Sequence, residues 1–151
     1  MKILLIEDDQ HKSKQITAFI NEELPDFEVI LKKSYQSGLK ELILNKHKLV
    51  LLDMQLPNFD IKSGEDGYKF RKLAGIDILK EITRKKVVSK IIVITQFETF
   101  GEGELYIELK DLKQLLVNEF SNLYVDTIFY SPSKSLWQKE LYNLLITYLN
   151  K

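Results

Sequence analysis

Apolar runs of strand length recur along the chain, at 2–6 (KILLI), 27–31 (FEVIL), 48–53 (KLVLLD), 90–95 (KIIVIT) and 125–130 (VDTIFY). They are leucine-rich or β-branched, and three are almost unbroken, the pattern of strands covered on both faces. Between and after them the period changes to that of amphipathic helices. Ile16, Phe19, Ile20 and Leu24 share one face of the first helix, and Leu39, Leu42 and Ile43 one face of the second. Ile76, Leu79 and Ile82 mark the third, and Leu105, Leu109, Leu112, Leu115 and Leu116 the fourth. The fifth carries Leu141, Leu144, Leu145 and Tyr148, with Leu136 near its start and Trp137, Tyr142 and Tyr148 as its core and rim. Five strand–helix units in alternation predict an α/β fold, a (βα)5 doubly wound parallel sheet with right-handed crossovers and helices on both faces. The stretch 58–74, NFDIKSGEDGYKFRKLA, breaks the alternation: it has no clean period, carries Ser63-Gly64 and Asp66-Gly67 turn signals, and reads as one long loop.

Composition narrows the picture. The 151 residues fit one domain, 1–151, with no linker, repeat or low-complexity segment. Lys plus Arg and Asp plus Glu number 22 each, so no net field draws in nucleic acid or an acidic membrane surface. Cysteine is absent, which removes disulfides, thiolate metal sites and cysteine nucleophiles and fits a reducing compartment. The N-terminus has no long apolar stretch followed by a cleavage site, and no window is apolar over about 18 residues. The expectation is a soluble cytoplasmic protein.

Ligands on open sheets of this kind bind beyond the carboxyl ends of the strands, so those ends are where chemistry is sought. The first strand ends in Glu7-Asp8-Asp9 and the third in Asp53. In a flavodoxin-like order, 2-1-3-4-5, these strands are neighbours, and carboxylates from separate parts of the chain converge. Like charges in company cost free energy unless a cation neutralises them, and an all-oxygen donor set suits Mg2+. Taken singly, such acids read equally as solvated loop residues. Thr95 ends the fourth strand at the same edge, where its hydroxyl can donate to a phosphoryl oxygen. His11 and His47 stand in no metal or triad spacing and read as surface residues, and no glycine-rich nucleotide fingerprint occurs.

LLIEDD, LLDMQLP, GIDILKEI, IIVIT and a proline after the fifth strand resemble the receiver domains of two-component response regulators over nearly the whole chain. The separation of 44 residues from Asp9 to Asp53, or 45 from Asp8, matches that family's usual spacing. The resemblance implies Mg2+ bound by Glu7, Asp8 and Asp53 with the backbone carbonyl of Gln55, Asp9 being the alternative ligand if the register slips by one. It implies Asp53 as phosphoacceptor and Thr95 as a contact to a phosphoryl oxygen. Pro57 matches the proline four beyond the acceptor, and Gly75 the glycine that opens the third helix.

The departures are specific. Receivers end the fifth strand with Lys-Pro, and here the step is Ser131-Pro132. Lys134, three residues on, is one substitute cation, and Lys62, Lys69, Arg71 and Lys72 of the long loop are others. The family's aromatic switch position falls on Ile128. Between Pro57 and Gly75 lie 17 residues where receivers have only a few, and the fourth helix is preceded by the glutamate-rich FETFGEGELYIELK. The leading expectation is a stand-alone receiver without an output domain and without an enzymatic activity of its own, phosphorylated by a histidine kinase or phosphotransfer protein and read by a downstream partner. A pseudo-receiver interaction module that is not phosphorylated is the alternative. A metal-dependent hydrolase is a minor third, opposed by Gln55, which stands where dehalogenase-like phosphatases carry a second acid.

Overall fold

The computed structural model describes residues 1–60, 70–71, 73–101 and 103–149. Five parallel strands, β1 (Lys2–Ile6), β2 (Glu28–Lys32), β3 (Leu49–Leu52), β6 (Lys90–Thr95) and β9 (Tyr124–Phe129), form one sheet in the order β2-β1-β3-β6-β9, which is 2-1-3-4-5 of the core strands. Helices α1 (Gln10–Glu23), α2 (Tyr35–Leu44), α3 (Ala74–Arg84), α4 (Leu109–Glu119) and α5 (Leu136–Leu149) connect them. The periodic runs therefore fold as read, and the sheet order makes β1 and β3 neighbours.

Strand side chains alternate between two cores, as the pleat requires. Ile3, Leu5, Leu49, Leu51, Ile92 and Ile94 pack on one face against Ile16 and Ile20 of α1 and Trp137, Leu141 and Leu145 of α5. Leu4, Ile6, Val50, Leu52, Ile91 and Val93 pack on the other face against α2, α3 and α4. Both faces are covered, which explains why these strands read as continuous apolar runs rather than alternating ones.

The two lengthened segments each contain a small antiparallel pair at the carboxyl edge of the sheet. In the first, β4 (Leu56–Pro57) pairs with β5 (Phe70–Arg71); in the second, β7 (Thr99–Phe100) pairs with β8 (Ile107–Glu108). The stretch 58–74 is thus not one loop throughout: Phe70–Arg71 is a strand and Ala74 begins α3, while residues 61–69, with both Gly turn signals, lie outside the described residues. Two-residue strands leave no period to detect, which is why the pairing was invisible in sequence. Leu105 closes a 3-10 turn (Gly103–Leu105) and precedes α4, which begins at Leu109. Ile43, expected on the apolar face of α2, is 41% exposed. His47 is also not a surface residue: it is 4% exposed, its Nε2 lies 3.1 Å from Glu41 Oε1, and its carbonyl accepts from the Ser89 hydroxyl. His11 is exposed.

Candidate functional site

Hydrogen bonding that continues one residue past the strands sets the site. The Glu7 N–H donates to the Lys32 carbonyl at 2.9 Å, and the Asp53 N–H donates to the Ile6 carbonyl at 3.1 Å. Glu7 and Asp53 are thereby held side by side at the ends of β1 and β3. Both are buried, at 0% and 4% exposure, with Asp8 half-buried beside them. Ligand-type oxygens of Glu7, Asp8 and Asp53 all lie within 4.8 Å of one another. Asp53 is also fixed from below, since its Oδ1 accepts from the Met54 N–H at 2.8 Å. The Gly75 N–H donates to the Met54 carbonyl at 3.1 Å and seats α3 against the same turn. A Cβ on Gly75 would come within 2.2 Å of Met54 Cε and 3.0 Å of the Asp53 carbonyl oxygen, so glycine is what permits that approach.

Burial and mutual charge show in the protonation of the cluster. Burial first, and then the charge of Asp53, push the Glu7 carboxyl up to about 10, with Lys12 opposing. The same two causes, in the same order, raise Asp8 to about 6. Neither side-chain oxygen of Glu7 has a hydrogen bond of good geometry among the described residues, although Lys12 Nζ stands 2.6 Å from Oε1. Crowded oxygen donors, raised acid pKa values and an unsatisfied buried carboxylate oxygen are conditions that a hard divalent cation relieves, and Glu7, Asp8 and Asp53 fit Mg2+.

Thr95, fully buried, ends β6; its Oγ1 accepts from the Phe97 N–H at 3.2 Å and keeps its own proton to donate. Gln55 lies half-buried between β3 and β4. Asp9 is engaged elsewhere, as N-cap of α1 with Oδ1 accepting from the Lys12 N–H at 2.9 Å. Ile128 is buried, with Phe129 39% exposed and Tyr130 1% exposed on either side of the strand end. Lys134 is exposed in the turn after β9. Arg71 stacks on the Tyr35 ring at 4.0 Å and faces Asp77 at 3.8 Å, so it serves the edge of α2 and α3 and not the acid cluster. Lys62, Lys69 and Lys72 lie outside the described residues.

Among the described residues the cation that reaches the cluster is Lys12, which is not one of the substitutes expected from the sequence. Lys12, in the first turn of α1, is 1% exposed, with Nζ 2.8 Å from the Ile94 carbonyl oxygen, 2.6 Å from Glu7 Oε1 and 3.5 Å from Asp53 Oδ1. Burial works against its charge, but Asp53 and Glu7 outweigh it and hold the ammonium above the usual lysine range. With all three carboxyls ionised, Lys12 leaves two net negative charges, which one divalent cation offsets. A signal was present: Ile16 and Ile20 are four apart on the core face of α1, and one step of four back along that face is Lys12. Asp60 is a second omission, accepting from the Ser34 and Ser37 hydroxyls at 2.6 and 2.7 Å and tying the start of the long segment to the N-terminus of α2.

No protein-family model matches the chain. It is 28% identical over 144 residues to the Detocs response regulatory protein DtcB of Enterobacter cloacae, covering 93% of this chain and 95% of that protein. It superposes on the crystal structure of response regulator protein TrrA from Thermotoga maritima, in complex with Mg2+–BeF, with a TM-score of 0.62 at 18% identity, covering 97% of each chain. For the phosphorylated cyanobacterial phytochrome response regulator RcpA the TM-score is 0.65 at 18% identity, covering 98% of this chain and 93% of that one. Among the described residues no helix is long and apolar enough to cross a membrane. Sheet order, the meeting of acids from β1 and β3, and these likenesses together give the chain the fold of a response-regulator receiver domain.

Proposed function

We propose that the chain is a cytoplasmic phosphoacceptor switch in which Asp53 receives a phosphoryl group from the phosphohistidine of a histidine kinase or phosphotransfer protein. The observation that carries this reading is the convergence of Glu7, Asp8 and Asp53 within 4.8 Å at the carboxyl edge of the sheet. Mg2+ held by these three would neutralise the charge of the phosphoryl oxygens. Asp53 is fixed through Oδ1 by the Met54 N–H, which leaves Oδ2 as the nucleophile; an Oδ2–P bond forms as the donor N–P bond breaks, the bonding pair stays on the donor nitrogen, and the donor imidazole, already protonated on its other ring nitrogen, leaves neutral. The Thr95 hydroxyl donates to a phosphoryl oxygen. Positioning and electrostatics are what such transfers chiefly require of a protein. The relative DtcB is named a response regulatory protein, which supports the assignment without supplying a partner. The chain is a substrate of the transfer rather than an enzyme acting on others.

One observation favours the second reading, an unphosphorylated interaction module: Ser131, two residues past the end of β9, stands where receivers place a lysine. Incubation with acetyl phosphate and Mg2+, followed by intact-mass measurement, separates the two. A one-phosphate adduct on wild type that is absent from Asp53→Asn is expected. Wild type without an adduct from acetyl phosphate or from a phosphohistidine donor leaves the interaction module.

A further inference from the structure

A buried lysine needs an explanation, since Lys side chains ordinarily carry their charge out to water along an extended stem. Lys12 turns inward. Its ammonium has three protons, and three oxygens surround it: the Ile94 carbonyl at 2.8 Å, Glu7 Oε1 at 2.6 Å and Asp53 Oδ1 at 3.5 Å. The ring of Tyr130, at the end of β9, lies 5.9 Å from Nζ and closes the side toward α5; the Tyr130 hydroxyl donates to Gln15 Oε1 of α1 at 2.9 Å. Ile94 immediately precedes Thr95, so the ammonium sits between the ends of β3 and β6, in the corner where a phosphoryl group on Asp53 would meet the Thr95 hydroxyl. Ser131 cannot supply a charge there, and its Oγ lies 3.4 Å from Ser133 Oγ. Lys134 is exposed.

We infer that Lys12 has taken over from the strand-end position as the acceptor-site cation, aligning Asp53 before transfer and pairing with a phosphoryl oxygen after it. The inference rests on the phosphoacceptor reading of Asp53 and adds the residue through which that site is charged from α1. With acetyl phosphate the Asp53 O–P bond forms as the acetyl O–P bond breaks and acetate departs; Lys12 neither gives nor takes a proton. The long contact to Asp53 and the short one to Glu7 suit this role, because a cation shared between two acids can shift toward whichever gains negative charge.

The test compares the wild-type chain, Lys12→Gln and Lys12→Gln/Ser131→Lys, each first shown to be folded by circular dichroism in saturating Mg2+. Intact-mass time courses with acetyl phosphate should show Lys12→Gln slowed roughly 10–100-fold, the size of a lost charge-assisted contact, and the double variant recovering much of the rate. Mg2+ titrations without any phosphodonor should show Lys12→Gln binding several-fold tighter, because a cation has been removed from beside the carboxylates. A folded Lys12→Gln that phosphorylates at the wild-type rate overturns the inference. So does one whose Mg2+ binding is weakened, since that is the mark of a collapsed site. If Lys12→Gln alone does not fold, the double variant decides: near wild-type rates support the role, and a rate below about a tenth of wild type overturns it. Wild type that takes up no phosphate from any donor sinks the phosphoacceptor reading itself and the phosphoryl contact with it. The Mg2+ titration then still decides whether Lys12 is the counter-charge of the acid cluster.

Discussion

The Lys12 ammonium stands 3.5 Å from the Asp53 carboxylate, and it arrives there from helix α1 rather than from the end of β9. Removing it leaves Asp53 and the Ile94 carbonyl without their buried partner, and breaking one side of a buried charged pair costs about 3 kcal/mol. Lys12→Met should therefore unfold at clearly lower urea concentration in chelator, with most of the loss recovered in excess Mg2+. A loss of under about 1 kcal/mol in chelator would show that the ammonium is not held as described.

Asp53→Asn probes the same cluster from the other side. The charge of Asp53 is the second cause, after burial, of the raised pKa of both Glu7 and Asp8. The variant should fold, form no acyl-phosphate adduct and lose most of the Mg2+-induced rise in melting midpoint, since an amide is a poor nucleophile and brings no charge to a cation. An undiminished Mg2+ effect would remove Asp53 from the ligand set.

Stability of the cation-free protein should fall as pH rises. The folded pKa of Asp8 is raised from 3.8 to about 6 and that of Glu7 from 4.5 to about 10, so between the unfolded and folded values the native state binds protons that the unfolded chain has released. Their contribution is fully present below the unfolded values and is lost as pH climbs through about 6 for Asp8 and toward about 10 for Glu7. Lys12, also raised, adds a loss only above the ordinary lysine range. Asp60 and Glu41 are lowered, by hydrogen bonds from Ser34 and Ser37 that outweigh burial for Asp60 and by the His47 hydrogen bond for Glu41. Their contribution is lost on the acid side instead. Melts in chelator at about pH 5.5 and about pH 8.5 should differ in favour of the lower pH; equal midpoints would contradict the crowding of the cluster.

The fold was legible in the sequence because its signals are periodic and long. Runs such as KIIVIT and the Ile76, Leu79, Ile82 stripe decide strand and helix with little help from tertiary context. Glu7, Asp8 and Asp53 were legible because strand order alone brings the ends of β1 and β3 together. Lys12 was legible only in part: it lies on the Ile16–Ile20 face of α1, but a charged residue in the first turn of a helix is ordinarily solvated, and that expectation hides its burial. Asp9 shows the converse: adjacent acids look alike in sequence, and only the helix start reveals that this one caps α1. Short pairs such as Leu56–Pro57 with Phe70–Arg71 have too few residues to show any period.

Gly75 offers a test of how tightly the acceptor is positioned. Alanine there would place Cβ 2.2 Å from Met54 Cε, which a flexible side chain can relieve, and 3.0 Å from the Asp53 carbonyl oxygen, which only backbone movement can. Gly75→Ala should destabilise by roughly 1–3 kcal/mol, the usual cost of overpacking, and should slow adduct formation at Asp53 even where the protein remains folded. Unchanged stability and rate would mean that α3 can withdraw from the site freely.

Mg2+ affinity should rise with pH, and the reason is proton competition at the two raised carboxyls. Glu7 holds its proton up to about 10 and Asp8 up to about 6 in the cation-free cluster, and a ligand carboxyl must be ionised to hold the metal. Between those values each unit of pH removes part of the proton that Mg2+ would otherwise have to displace from Glu7, at most about tenfold in affinity per unit. Binding near neutral pH should accordingly release protons, read by calorimetry as a binding enthalpy that differs between buffers of unlike ionisation enthalpy. Glu7→Gln, which has no proton to lose at this position, should bind Mg2+ more weakly and with a flatter pH dependence. Wild-type affinity that is constant from about pH 6.5 to about pH 8.5, with no proton release, would show that Glu7 is already ionised before the cation arrives and that Lys12 compensates it more fully than burial and Asp53 oppose it.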